Sequence, residues 1–512
     1  MAMCASFHRG GGMLAFGQVL RLGLRATAAY IGMSFAAMPA TAQETPLTFE
    51  EAVQQMTRTS PAIDAADNNV EAARLTQKSV SSLNRPLVSL SAQYVEYEKS
   101  LSLDLAGPRD TAIQDTNAFL DTIPSSVAPE FQAIASSIVG RISQALPDLF
   151  AALPESFSYD FRQGSFRPTV QALLPIYSGG AFPAIRRGAE ASTYIAEARA
   201  RGARELAQVN LIRVYFGQQT AQALENSTRE SLQAMDELLS DATKLEADGF
   251  VARSVRLEAK AARDAADRAY QRAVLAHDSA RIELANLLEL ERVAPTTPLF
   301  VVSTPLPPAS SFLGSEGDLP QTREAEGAGR LAGAAVDLAK SRLKPQAFAF
   351  GEYNLDRSSA LPIEPDWIVG VGVRYTLLSN VGRGSTLAAA RKQASAAEDT
   401  ARAARKSATS TTLQAWNLVE SARRSFLLLD SSIAAGAENL RVQRISFREG
   451  EGTVAQVTAA EAALATARTQ RIATAYEYDL ALAALLAASG RLPAFTDYLL
   501  GADIRIAAGP AR

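Results

Sequence analysis

The sequence predicts an α+β membrane protein built as an internal duplication, with β segments set on very long helical coiled coils. Three observations predict it. First, residues 201 positions apart match without a gap: Phe166 with Trp367, Ser178 with Ser379, Tyr215 with Trp416, Gly249 with Gly450, Ala259 with Ala460 and Leu284 with Leu485. An insertion in a helix turns every later side chain about 100° off its face, so a constant offset means two similar units in register. Second, short alternating strands carry aromatic residues at their ends. Third, two stretches of roughly 65 residues run with almost no proline, about 100 Å of helix each.

The first 42 residues read as a secretory signal peptide. Arg9, Arg21 and Arg25 precede a largely apolar run of 13 residues, Ala26 to Met38, too short to span a bilayer. Ala40-Thr41-Ala42 then forms an A-x-A cleavage site, so the mature chain is expected to start at Gln43. The single cysteine, Cys4, leaves with the signal, which excludes disulfides and cysteine metal sites. A net charge of -3 gives no support for a nucleic-acid partner. Past the signal no run reaches 18 apolar residues, so an exported chain is periplasmic, secreted or an outer-membrane β protein.

The first repeat, 43–290, opens with a helix over about Leu47 to Asn84, started by a Thr48/Glu51 capping box and stopped by Pro86. Its counterpart runs from about Thr322 to Leu343, ahead of Pro345. Strands follow. Trp367, Val369, Val371, Val373 and Tyr375 share one face of a strand, and Ile368, Gly370, Gly372 and Arg374 share the other. Two aromatics eight residues apart span about 26 Å of strand, or about 20 Å of height at a tilt near 40°. That matches the apolar band and aromatic girdles of an outer-membrane barrel. Phe166 to Leu174 repeats the pattern, and Val88 to Tyr94 places Ser89, Ser91 and Gln93 on the polar side. Tyr94, Phe166, Tyr353, Trp367 and Tyr375 are the girdle candidates. In the strand around Phe348 and Phe350, either those rings or Ala347, Ala349 and Gly351 fit the lipid side.

Long helices come next, about Gly180 to Asp248 and Ser385 to Glu449. Met235, Leu238, Ala242 and Leu245, like Val457, Ala460, Leu464 and Ala467, repeat at coiled-coil spacing. The hairpins reverse at Gly249-Phe-Val-Ala-Arg-Ser254 and Gly450-Glu-Gly-Thr-Val-Ala455, and the return helices end near Leu288 and Ser489. Between the repeats, 291–321 holds six prolines and reads as an extended linker. The second repeat covers 322–490, and 491–512 is a tail of mixed pattern. The repeats differ most ahead of Phe166: Tyr94 to Phe166 is 72 positions and Tyr353 to Trp367 is 14, so the first strand pair carries 58 extra residues in an extracellular insertion at about 97–165. Phe131, Ile134, Ile138 and Ile142 fall there at helical spacing, either an amphipathic helix over the barrel mouth or a surface decoration.

Four strands per chain are too few to close a barrel, and open edges are costly in hydrocarbon. The chain must therefore oligomerise; two, three or four copies would give about 8, 12 or 16 strands. The physical picture is a duct whose helices continue the barrel away from the membrane.

At this point the chain resembles the TolC-like outer-membrane efflux proteins. The signal peptide, the duplicated strand pair and hairpin, the run Leu174-Pro-Ile-Tyr-Ser-Gly-Gly180, the two glycine turns and the pattern Gly450, Val454, Val457, Ala460 carry that resemblance over 43–490. It implies a homotrimer with a 12-stranded barrel in outer-membrane lipid and a periplasmic helical barrel. It implies an exit duct for tripartite efflux of small molecules or for type I secretion. The helical tip would meet a periplasmic adaptor (membrane-fusion) protein and an inner-membrane pump of the RND, ABC or MFS class. No cofactor is implied. The tip residues Gly249, Phe250, Val251, Gly450, Gly452, Val454 and Val457 would form the docking surface. Family members often carry acidic rings just past the second turn. Here Gln456 and Ala459 stand there, and Asp248, Glu449 and Glu451 are the candidates to replace the charge.

Two other classes compete. A periplasmic enzyme is opposed by the single mature histidine, His277, and by isolated motif fragments: Ser341-Arg-Leu-Lys344 lacks the other β-lactamase motifs, and Gly382-Arg-Gly384 lacks the third glycine of a dinucleotide loop. A soluble periplasmic coiled-coil adaptor would not need two strand pairs with aromatic ends.

Overall fold

The computed structural model describes residues 45–104, 119, 132, 135–137, 156–356 and 365–506. The expected signal peptide and the Phe131 to Ile142 pattern lie outside the described residues. In chain order the elements are β1 (Thr45–Leu47), α1 (Phe49–Thr59), α2 (Pro61–Ser81), β2 (Leu87–Asp104), β3 (Ser156–Tyr177), α3 (Ala181–Ala247) and α4 (Arg253–Leu288). They continue with β4 (Val293–Pro295), β5 (Leu299–Val301), α5 (Pro320–Ser341), β6 (Gln346–Asn354), β7 (Trp367–Arg374), α6 (Arg383–Arg448), α7 (Val454–Ala488), α8 (Phe495–Leu500) and β8 (Ile504–Ile506).

Thr48 starts α1 with the expected capping box: its hydroxyl accepts from Glu51 N at 3.3 Å, and its own N–H donates to Glu51 Oε2 at 2.8 Å. The single helix expected over 47–84 is corrected to two. Pro61 forces Ser60 into an extended conformation (φ -72°, ψ 111°) and then opens α2 as its first residue.

Strands β2, β3, β6 and β7 form one antiparallel sheet in that order. The β2–β3 ladder runs unbroken from Leu87↔Leu173 to Asp104↔Ser156. Part of the expected extracellular insertion is therefore a taller hairpin. Only 105–155 remains as extra chain between the strands, and most of it lies outside the described residues.

The long helices have 67 residues in α3 and 66 in α6, close to 100 Å each at about 1.5 Å per residue. Their return partners α4 and α7 have 36 and 35 residues. The 201-residue offset carries Ala247 onto Arg448 and Arg253 onto Val454, the same helix ends in each half. The coiled-coil seam is buried as its spacing predicts: Met235, Leu238 and Ala242 pack with Ala259, Leu440, Phe447, Ala460 and Leu464.

The larger core lies midway along the helices, around Phe49, Tyr215, Phe216, Phe300, Tyr478 and Phe495. Here the linker departs from the extended reading. Its β4 pairs in parallel with β1, and its β5 pairs antiparallel with β8 from the tail. Prolines stopped a helix but left room for short strands, which bind Thr45–Leu47 and Ile504–Ile506 to the belt of the helical bundle.

Candidate functional site

Antiparallel partners share a face of a sheet, so register assigns the two sides. One side carries the rows Leu90–Val170–Tyr353–Trp367 and Val88–Ala172–Gly351–Val369, with Tyr94 opposite Phe166. Up to the Tyr94–Phe166 pair this side is apolar and open: Val369, Val371 and Val373 are 72%, 73% and 73% exposed. Beyond that pair the taller β2–β3 hairpin carries Glu96, Glu98 and Arg162 on the same side, with Arg162 bonded to Glu96. The girdle candidates Tyr94, Phe166, Tyr353 and Trp367 all lie on it, and Tyr375 continues it just past β7. The other side carries Ser89, Ser91, Gln93, Thr169, Gln171, Glu352 and Asn354, with Ser91 Oγ 2.7 Å from Thr169 Oγ1.

The choice left open by sequence is decided by two glycines. A Cβ on Gly370 would sit 2.7 Å from Phe350 Cζ, and one on Gly372 would sit 2.7 Å from Phe348 Cζ. The two rings thus lie over β7 on the polar side, leaving Ala347, Ala349 and Gly351 on the apolar side. Among the described residues, strands β2 and β7 each pair on one edge only, so the sheet ends in two unpaired ladders. Among the described residues, no helix is long and apolar enough to cross a membrane.

At the far end, both hairpins turn through the same motif. Gly249 and Gly450 each have φ of 79°, the left-handed region that favours glycine. Around them Gly249 N–H bonds Glu246 O and Phe250 N–H bonds Leu245 O; Gly450 N–H bonds Phe447 O and Glu451 N–H bonds Ser446 O. These are Schellman caps, which satisfy the last carbonyls of α3 and α6. Gly452 is needed for closeness: a Cβ there would sit 2.8 Å from Phe447 N.

The tip residues divide. Phe250 is 77% exposed and Val251 is half-buried. Val454 and Val457 are corrected: at 1% and 0% exposure they fill the core beneath the turn, because the start of α7 turns its apolar stripe onto Leu238 and Phe447. Asp248, Glu449 and Glu451 are exposed at the turns. Gln456 is exposed, but its side chain is spent on the Thr453 capping box, with Thr453 N–H donating to Gln456 Oε1 at 2.8 Å. Just behind the tips, Arg444–Glu237 at 3.2 Å and Arg448–Asp241 at 2.6 Å bridge the two hairpins.

Fragments that suggested catalysis have ordinary packing roles. His277 Nδ1 lies 2.7 Å from Glu225 and its Nε2 lies 3.0 Å from Gln218, between two helices. Ser341 ends α5, its hydroxyl donating to Leu338 O at 2.6 Å. Among the described residues no group of His, Cys, Asp and Glu is placed to hold a metal ion.

Sequence reasoning missed the polar clamps of the belt. Tyr215 Oη donates to Leu47 O at 2.8 Å and accepts from Thr297 N at 3.0 Å. Glu420 and Arg423 form a bidentate pair, and Arg423 Nη1 donates to Ser303 O at 2.6 Å, tying the linker to α6. Hydrogen bonds from Arg423 hold the Glu420 carboxyl down at about 2. Asp479 is wholly buried, and burial drives its carboxyl well above the usual range. The Glu-x-x-Arg spacing of Glu420 and Arg423 was the available signal, but it is equally common on solvated helix faces.

The outer membrane efflux protein family model matches residues 126–289 and 319–491. A search of curated proteins finds no match. Solved structures match over most of the chain. A membrane protein from Pseudomonas aeruginosa is 14% identical, with a TM-score of 0.67 over 86% of this chain and 93% of its own. The CmeC outer membrane channel of Campylobacter jejuni is 13% identical, with a TM-score of 0.67 over 87% and 86%. The outer membrane protein VceC of Vibrio cholerae is 13% identical, with a TM-score of 0.65 over 86% and 96%. At these identities the solved structures speak to the fold alone.

Proposed function

The chain belongs to the outer membrane efflux protein family, whose model matches its two halves, and on that premise we propose that three copies form the exit duct of a tripartite efflux system for small solutes. Its place is the outer membrane, and its role is transport rather than catalysis. One observation carries the rest: a four-stranded sheet with an apolar band on one face, bounded by Tyr94 and Phe166, and two edges unpaired among the described residues, set on helices of 67 and 66 residues.

In hydrocarbon each unpaired ladder must find a partner. Pairing β7 of one copy with β2 of the next removes both edges, and three copies give about 12 strands. The apolar face then meets lipid, and the face with Ser89, Gln171, Glu352 and Arg374 lines the lumen. The helices extend that lumen for about 100 Å, the reach needed to meet partners across the periplasm. At the tips, Phe250 and Val251 supply apolar contact for an adaptor protein, the Schellman glycines fix the turns, and Asp248, Glu449 and Glu451 set the charge at the entrance. Family membership in efflux favours small solutes over type I secretion. The driving energy belongs to an inner-membrane pump.

Reconstitution in planar bilayers tests the duct: stepwise, water-filled conductance is expected, and an absence of conductance from correctly oligomeric protein overturns it. For the tip, Phe250→Asp is expected to abolish solute resistance in cells while leaving conductance intact. Full resistance in that variant would remove Phe250 from the docking surface.

A further inference from the structure

We propose that the junction of barrel and helices in the second half holds an anion site, built from Arg342, Lys344 and Arg374, that takes a small multivalent oxyanion such as a phosphate or carboxylate group. The site is a cavity of about 300 Å³ between the end of α5, the first turn of α6 and the base of the β6–β7 hairpin. Gln346, Thr376, Ser379 and Thr386 add polar groups to its wall.

Four cations line this cavity and no carboxylate does. Arg383 is committed to the scaffold, donating to Arg342 O at 3.2 Å and Leu377 O at 3.1 Å. Arg374 stacks 5.6 Å from the Phe348 ring centre, which orients its guanidinium without neutralising it. Among the described residues no ion pair engages Arg342, Lys344 or Arg374. The nearest acid on α5, Asp337, is taken by Arg187 at 2.8 Å and Lys340 at 3.2 Å. On the polar sheet face, Glu352 stands six residues from Gln346, about 20 Å along the strand. The first turn of α6 has no side-chain cap, so its free N–H groups add to the positive field. Like charges held together without a counter-charge are costly unless an anion joins them, and guanidinium forks suit oxyanions.

The first half lacks this feature. There the helix end reads Ser82-Leu83-Asn84-Arg85-Pro86-Leu87, against Ser341-Arg342-Leu343-Lys344-Pro345-Gln346 in the second. At the base of the sheet, Leu87 pairs with Leu173 where Gln346 pairs with Arg374. Two charges were placed in one half only, so helix packing common to both halves does not demand them. Gln346 and Arg374 lie on the face with Glu352, so the site opens to the lumen; that placement, and nothing else, rests on the proposed duct.

The test is calorimetric titration of the detergent-solubilised oligomer with sodium pyrophosphate. Wild type is expected to bind, with affinity that falls as chloride rises. Arg342→Gln/Lys344→Gln/Arg374→Gln is expected to bind at least roughly tenfold more weakly, and Lys344→Arg, which keeps every positive charge and every guanidinium fork, close to wild type. No binding by wild type, or equal binding by the triple variant, overturns the site. If the triple variant does not assemble, protection of Lys344 from amine acetylation by pyrophosphate in the wild type decides, and unchanged labelling overturns the proposal. Phospholipid that co-purifies with wild type and is displaced by pyrophosphate supports the site with a lipid headgroup as the anion; its absence supports a soluble one. Pyrophosphate binding without bilayer conductance counts against the duct and in favour of the site.

Discussion

Replacing Glu420 with Gln removes one half of a buried charge pair and strands the other. Both side chains of the Glu420–Arg423 pair are 8% exposed, joined by bonds of 2.9 and 2.6 Å. Breaking a buried pair on one side costs about 3–5 kcal/mol, because an uncompensated charge is left behind. The exposed Arg424, 70% accessible, also reaches Glu420 but adds at most about 1 kcal/mol. Since Arg423 also holds Ser303 O, the loss should appear as opening of the linker. At 1.36 kcal/mol per factor of ten, the opened population rises by roughly 2 to 4 powers of ten. Hydrogen exchange over 303–312 reads it, with Glu420→Leu/Arg423→Met as the control that removes both charges and returns exchange to within about tenfold of wild type. The sign with pH follows from the depressed carboxyl. Its contribution is full above 4.5 and is lost as pH falls towards about 2. Less than threefold change in Glu420→Gln, or a double variant as open as the single, refutes the clamp.

Neutralising the tip, Glu449→Gln/Glu451→Gln, is expected to lower cation preference in bilayer recordings; an unchanged reversal potential removes those residues from the entrance. Gly450→Ala forces a Cβ into the left-handed region at φ 79°, at a cost of about 1–2 kcal/mol, read as faster exchange at the second tip than at the first; equal exchange would contradict the strain. Asp479 carries a carboxyl raised above 3.8 by burial, so its contribution is full below that value and is lost as pH rises through the raised one. Asp479→Asn should therefore flatten the decline in stability with rising pH, seen in thermal unfolding at several pH values, and an unaltered slope would sink that role.

Long elements were legible from sequence because their periods repeat many times. The seam at Met235, Leu238 and Ala242 and the face of Val369, Val371 and Val373 needed no tertiary knowledge. The Thr48 capping box was legible for a different reason: its two hydrogen bonds are local. What was not legible depends on distant partners. Phe348 and Phe350 alternate with small residues, and only Gly370 and Gly372 on the neighbouring strand show which side the rings take. Val454 and Val457 looked like surface at a turn, yet Leu238 and Phe447 from other helices bury them. Prolines in the linker hid β4 and β5, whose partners lie about 250 and 200 positions away. Pro61 was readable and marks the break between α1 and α2.

Everything proposed for the duct rests on chains closing one another's sheet edges. Native mass spectrometry of protein extracted gently from outer membranes measures this directly. A particle of three chains that falls to single chains only on heating is the expected result; a single-chain particle before heating would contradict it.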